Sequence, residues 1–192
     1  MALRYFNKRH LGILGDALDV AEDMTSNHFK LSLSQWIRYP FDVKTLSSLF
    51  GEDIKDNVFA LLRKYMTGGR WEIEPIRKRH ESYIICLQDH QILKALQRDR
   101  DLKLLPLLAY ILTHELVHIV RFCKFQVRFD TQEESRSKEE KIVHQTTYEI
   151  LKELPLASLS YILGSYHPDR MAVDSVWINI LHDKQRITDA YL

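Results

Sequence analysis

A histidine–glutamate–histidine motif is the part of this sequence best suited to chemistry. His114, Glu115 and His118 form the pattern H-E-x-x-H within an apolar stretch. Residues i and i+4 of a helix lie on one face, one turn apart, so both imidazoles can bind one metal ion. Glu115 lies beside them, where its carboxylate can accept a proton from a water molecule. The spacing therefore predicts a Zn²⁺ site with hydrolytic chemistry.

The residues around the motif favour this interpretation. Positions 111–112, 116–117 and 119–120 are all apolar and leave little room for a solvent-facing side. Burying two histidines and a glutamate is costly unless a partner satisfies them, and a metal ion does so directly. The alternative is an ordinary helix that carries these polar side chains on its surface.

The stretch 113–120 resembles the active-site helix of zincin metallopeptidases, and the resemblance covers about residues 71–154. The metzincin subclass needs Gly and His where this chain has Arg121 and Lys124, so that subclass is excluded. The gluzincin subclass completes its metal site with a glutamate from a later helix. The resemblance therefore implies a gluzincin-like peptidase with a third ligand further along the chain.

The resemblance selects Glu140 as the third metal ligand, with Glu139 as second choice. An inward stripe at 143, 147 and 150 agrees with Glu140, whereas Glu139 is displaced by one position. The alternative is that both glutamates mark a solvated helix start, favoured by the helix dipole. Gluzincins carry an aspartate four residues after this ligand, where the present chain has His144. His144 is expected either to hydrogen-bond a ligand or to approach the metal itself.

Three protein ligands leave a fourth position for water, as in catalytic rather than structural zinc sites. The implied reaction is peptide hydrolysis, in which Glu115 takes a proton from water and passes it to the leaving amine. Zincins also use a Tyr, His or Arg to stabilise the oxyanion. The candidates for that catalytic role are Tyr148, Tyr166 and His167, each of which is equally compatible with a partly buried aromatic packing role.

The resemblance also implies a role for one strand. In zincins an edge strand above the cleft pairs with an extended substrate. Residues 83–87 are the candidate here, so the expected partner is a peptide or protein bound in a cleft beside strand 82–87. The alternative is an ordinary core strand.

The hydrophobic pattern predicts an α+β fold, mostly helical, with a small antiparallel sheet or hairpin beside the motif helix. The hairpin combines strands 70–76 and 82–87 through the basic turn 77–80. Residues 1–66 are expected to form a mostly helical accessory lobe and 67–192 the zincin-like domain, unless the two form one compact unit. Helices are predicted over 11–24, 43–50, 53–65, 92–98, 102–125, 133–154 and 156–163, a short strand or irregular connection over 31–37, and a short apolar element over 176–181.

Composition narrows the classes of partner. Lys plus Arg number 27 and Asp plus Glu number 26, so no overall field attracts nucleic acid or an anionic membrane. The longest apolar run, 104–111, is too short to span a bilayer, and no apolar segment typical of a signal peptide follows the N-terminus. We therefore expect a cytoplasmic protein that binds neither nucleic acid nor membrane. Two cysteines do not make a disulfide framework.

Three functions compete at this stage. The first is a zinc-dependent peptidase. The second is a zincin-fold protein that binds metal for regulation or interaction and has little or no general proteolytic activity. The third is a helical nucleic-acid-binding or partner-binding domain without metal, against which the neutral charge counts.

Overall fold

Helices predominate in the computed structural model, which describes residues 3–38, 40–67, 80–124 and 133–165. Three strands form one small mixed sheet, and two 3-10 turns, Leu46–Ser48 and Gly51–Asp53, follow the first strand. The expectation of a mostly helical α+β chain is confirmed. The elements are α1 (Lys8–Phe29), α2 (Leu33–Arg38), β1 (Phe41–Lys44), β2 (Ala60–Thr67), β3 (His80–Leu87), α3 (Asp89–Arg98), α4 (Leu104–Cys123), α5 (Glu133–Leu151) and α6 (Leu159–Ser165).

The sheet has the order β1-β3-β2, with β3 parallel to β1 and antiparallel to β2. Ile85 of β3 lies opposite Val43 on one side and Leu62 on the other. Successive side chains point to opposite faces of a strand. Leu62 and Ile85 therefore join the main core, whereas Leu61 and Cys86 join a smaller cluster behind the sheet.

The prediction of a helix over 53–65 is wrong, because residues 60–67 form strand β2. Ala60, Leu61 and Leu62 are all buried, since the sheet is covered on both faces. A strand buried on both faces gives a continuous apolar run, which periodicity alone does not distinguish from a buried helix.

The antiparallel partner of β3 also differs from the prediction. β2 pairs with β3 along its whole length, from Thr67 opposite His80 to Ala60 opposite Leu87. The predicted strand 70–76 lies outside the described residues, as does the predicted element 176–181. The strand predicted over 82–87 is itself confirmed as part of β3.

In two short segments the observed secondary structure differs from the predicted one. Residues 33–38 form helix α2, because Ser32 and Gln35 cap it: the Ser32 backbone N–H donates to Gln35 Oε1 at 2.7 Å. Residues 41–44 form strand β1 before a 3-10 turn, where a helix over 43–50 was expected.

Helix α4 is the centre of the molecule, and its predicted span of 102–125 is close to the observed one. Every residue from Pro106 to Val120 is buried. Length and hydropathy alone would let α4 cross a membrane, but 83% of its most apolar window is buried inside the protein, as in the core helix of a globular protein. Helix α1 packs along it through small residues, Ala17 and Ala21, which permit close approach.

The N-terminal segment shares its core with the rest of the described chain. Residues of α1, β2, β3, α4 and α5 belong to one hydrophobic cluster, and a boundary at residue 66 would pass through β2. Asp89, buried at the start of α3, accepts hydrogen bonds from the backbone N–H of Phe6 at 2.8 Å and of Leu46 at 3.0 Å. One carboxylate thus joins three distant parts of the sequence.

Candidate metal centre

His114 and His118 lie one turn apart on α4, as the motif predicts. Their Nε2 atoms are 3.2 Å apart, and their side chains are 1% and 0% exposed. Two imidazole nitrogens therefore converge on one point inside the protein.

Glu140 reaches the same point from α5. Its Oε2 lies 3.4 Å from His114 Nε2, and its Oε1 lies 3.3 Å from His118 Nε2. The Glu140 side chain is 20% exposed, so it is the part of the group nearest to solvent. We call His114, His118 and Glu140 the trio; one ligand atom from each lies within 4.8 Å of the others.

The side chains of the trio are close enough for one metal ion to contact all three. Zinc bonds of 2.0–2.1 Å place neighbouring tetrahedral ligands about 3.3–3.4 Å apart. The two imidazole nitrogens, 3.2 Å apart, are close to that spacing, and they lie 3.4 and 3.3 Å from Oε2 and Oε1 of Glu140 respectively. The trio could therefore hold a metal ion and leave a fourth position for another ligand.

Electrostatics within the trio favour a cation. Burial acts to raise the pKa of Glu140, but the two histidines outweigh it and hold the pKa well below its usual range. Burial lowers the pKa of His114. Burial also acts to lower the pKa of His118, but the charge of Glu140 outweighs it and the pKa is raised. Without metal, a proton on His118 stabilises the negative charge of Glu140. A bound cation would stabilise that charge in its place.

Glu115 is a buried carboxylate without a hydrogen-bond partner in the described part of the chain. Its side chain is 0% exposed, and neither carboxylate oxygen is hydrogen-bonded. Burial raises the pKa of Glu115 to about 8. A buried carboxyl group with both oxygens unsatisfied is costly, which fits a group that takes up a proton during a reaction.

Glu139, the second choice for the third ligand, pairs with Arg121. The Arg121 guanidinium donates from both Nε and Nη2 to the two carboxylate oxygens, with Nη2 to Oε2 at 2.7 Å. This two-point contact joins α5 to α4 one position before Glu140. Glu139 thereby fixes the helix register that directs Glu140 toward the histidines.

His144 contacts a ligand of the trio without joining it. Its Nδ1 lies 2.7 Å from Tyr110 Oη, and its ring centroid lies 4.3 Å from that of His114. Burial, and next the neighbouring His114, lower the pKa of His144 to about 2, so the ring is neutral. Among the described residues His144 shows neither of the two expected contacts: it hydrogen-bonds Tyr110 and packs its ring against that of His114.

Of the candidates for the oxyanion role, Tyr148 is described and is not brought to the trio. Tyr148 is half-buried and lies two turns beyond Glu140, about 12 Å along the helix axis. It lines a cavity of about 780 Å³ between the end of α5 and α6, together with Lys152 and Leu159. Tyr166 and His167 lie outside the described residues.

The expectation that residues 83–87 form an edge strand is wrong. β3 is the middle strand of the sheet and pairs with β1 on one side and β2 on the other. From Tyr83 to Cys86 it has a paired strand on both sides, so this stretch offers no free edge to an extended peptide. Among the strands of the described residues, β1 and β2 form the edges of this sheet.

Two residues of the site were missed from the sequence. Tyr110 precedes His114 by one turn, and Arg121 follows His118 by three residues, so both share the histidine face of α4. That i−4 and i+3 spacing was visible in the sequence. The identity of their partners on α5 was not, because it depends on how the two helices pack.

No protein-family model matches this chain, and no match was found among curated proteins or solved structures.

Proposed function

We propose that this protein is a zinc-dependent peptidase of gluzincin type, with the trio as metal ligands and Glu115 as general base. The observation that carries the proposal is the convergence of three buried or partly buried side chains: the His114 and His118 Nε2 atoms lie 3.2 Å apart, and each lies within 3.4 Å of a Glu140 carboxylate oxygen. The ligand set of two histidines and one carboxylate is typical of catalytic zinc. The proposed substrate is a peptide or protein, and cytoplasmic location remains a prediction.

The mechanism assigns each step to a named group. Zinc, when bound, would supply Lewis acidity toward a scissile carbonyl and lower the pKa of a water molecule. His114 and His118 offer Nε2 lone pairs, and ionised Glu140 offers negative charge. A carboxylate oxygen of Glu115 takes the proton from the attacking water and later gives it to the leaving amine. The apolar surroundings of Glu115 exclude bulk water, which strengthens its interaction with charge that develops nearby.

The metal site is tested first. His118→Ala is expected to abolish stoichiometric zinc binding, measured by elemental analysis after dialysis against zinc, because one of three ligands is lost. His90→Ala is the matched control: His90 is also a buried histidine, but it lies on α3 and bonds to Asp56. The control variant should keep about one zinc per chain. Full zinc retention by His118→Ala would refute the proposed site.

The role of Glu115 is tested next. Glu115→Gln keeps the volume and removes the proton acceptor, so zinc should stay bound while peptide hydrolysis falls by roughly 10²–10⁴-fold. Unfolded casein and a peptide library serve as substrates. A rate equal to that of the wild type would contradict the role of Glu115 as base.

A second candidate function is favoured by the burial of the site. His114, Glu115 and His118 are almost inaccessible, and the Glu140 side chain alone in the trio reaches solvent appreciably. Such enclosure suits a zincin-like protein that binds metal for regulation or interaction and cleaves few substrates or none. Stoichiometric zinc without turnover on any library peptide would favour this candidate over the peptidase.

A further inference from the structure

We infer that Tyr110 and His144 form a positioning pair that sets how tightly the trio holds zinc; this inference rests on the proposed function. Tyr110 lies one turn before His114 on α4, and His144 lies one turn after Glu140 on α5. Tyr110 Oη and His144 Nδ1 are 2.7 Å apart, and both side chains are buried. Their hydrogen bond thus joins the two helices next to the metal ligands.

The pair restrains a ligand that is otherwise poorly held. A metal-binding histidine usually donates its second ring N–H to a carboxylate, a carbonyl or water, and that bond fixes the ring. Nδ1 of His114 has no such partner in the described ranges. The His144 ring lies against the His114 ring instead, with centroids 4.3 Å apart and planes inclined by 52°. Tyr110 holds His144 in this place, and His144 limits the rotation of His114.

The Tyr110–His144 hydrogen bond also helps to hold α4 and α5 together near the trio. The Arg121–Glu139 contact joins α4 and α5 on the other side of the trio. The ligands therefore lie between two cross-links, one charged and one neutral. Ligands held in place before the ion binds lose less conformational freedom on binding, which raises affinity.

The test removes the hydrogen bond from either side while keeping a ring. Tyr110→Phe, His144→Phe and the double variant are compared with the wild type by competition titration of Zn²⁺ against a chromophoric chelator. Each single variant should bind zinc about 10–100-fold more weakly, the usual effect of losing a supporting partner of a metal ligand. The double variant should lose no more than either single one, because all three lack the same bond.

Two further readouts separate positioning from stability. The visible spectrum of the Co²⁺ form should change in all three variants, because it reports the geometry of the ligands. Tyr161→Phe is the matched control: it removes a 2.6 Å bond from a tyrosine hydroxyl to Asp99, away from the trio. This control should keep the zinc affinity and the Co²⁺ spectrum of the wild type. Thermal unfolding of the zinc-free proteins identifies any variant that does not fold.

The outcomes are distinguishable. If the wild type binds zinc and the single variants bind it equally well, the positioning role is refuted and the metal site stands. Additive losses in the double variant would also refute it, because the two side chains would then act separately. A wild type that binds no zinc would refute the proposed metal site and this inference with it. Should one single variant fail to fold, the other removes the same bond and decides the question.

Discussion

At the scale of single residues, the neighbours of each buried group around the trio decide whether burial or charge attraction sets its pKa. Glu115 and Glu140 are both glutamates, yet their pKa values move in opposite directions. Glu140 faces two imidazoles that stabilise its charge, whereas Glu115 has no hydrogen-bond donor in the described part of the chain. One carboxylate is thereby suited to bind a cation, and the other holds a proton more tightly while no cation is bound.

The raised pKa of Glu115 predicts how the stability of the zinc-free protein depends on pH. The folded protein keeps a proton on Glu115 up to about pH 8, whereas the unfolded chain releases it near 4.5. Stability from this group is therefore complete below about pH 4.5 and is lost as pH rises to about 8. Glu115→Gln should gain free energy of unfolding relative to wild type over this range, on the order of a few kcal/mol.

Urea unfolding of both zinc-free proteins between pH 5 and pH 9, at roughly one-unit intervals, measures this difference. Glu149→Gln is the control, because Glu149 is exposed and Lys152 lowers its pKa, so no such gain is expected. A stability difference between wild type and Glu115→Gln that does not change with pH would contradict the prediction.

At the scale of elements, the register of α5 against α4 decides which glutamate meets the metal. Adjacent residues on a helix point in directions about 100° apart. Glu139 therefore reaches Arg121 while Glu140 reaches the histidines. The charged contact and the metal site are two consequences of one helix packing.

Matched substitutions separate these two glutamates. Glu140→Gln should weaken zinc binding by roughly 100-fold or more, because loss of a ligand costs more than the 10–100-fold lost with a supporting partner. Glu139→Gln should lower the free energy of unfolding by about 2–3 kcal/mol, since it removes the charge of the carboxylate that the partly buried Arg121 contacts on α5. Calorimetric zinc titration and urea unfolding measure the two effects. A larger loss of zinc affinity in Glu139→Gln would mean that the register in solution differs.

The elements also show which features of the fold could be predicted from sequence. The long helices α1, α4 and α5 have enough turns for their apolar spacing to be unmistakable, and the i, i+4 histidines follow from the helix alone. β2 could not be predicted, because burial on both faces hides the alternation of a strand. α2 was missed because its first turn depends on the Ser32–Gln35 cap, which is a local hydrogen-bond pattern.

For the site, too, local features could be predicted from the sequence and features that depend on packing could not. Choosing Glu140 needed only a sequence pattern and a helical stripe. Tyr110 as partner of His144, and Arg121 as partner of Glu139, required the packing of two helices that are distant in sequence. The edge role expected for β3 failed because the position of a strand within a sheet is a property of the whole topology.

At the scale of the molecule, α4 is surrounded by α1 on one side and by α5 and α6 on others, while the sheet joins the same core. The motif residues therefore lie in the buried core rather than on the surface. Glu140 is the one partly exposed member of the trio.

This enclosure predicts the kinetics of zinc exchange. A chelator in solution cannot reach an ion held between buried histidines until α4 and α5 separate locally, so that opening would limit the rate. Removal of zinc should then proceed at a rate that does not depend on chelator concentration above a modest excess. The absorbance of a chromophoric chelator measures this rate. A rate proportional to chelator concentration would indicate direct access. If opening controls release, the protein would keep its metal through brief periods of zinc scarcity, whatever its equilibrium affinity.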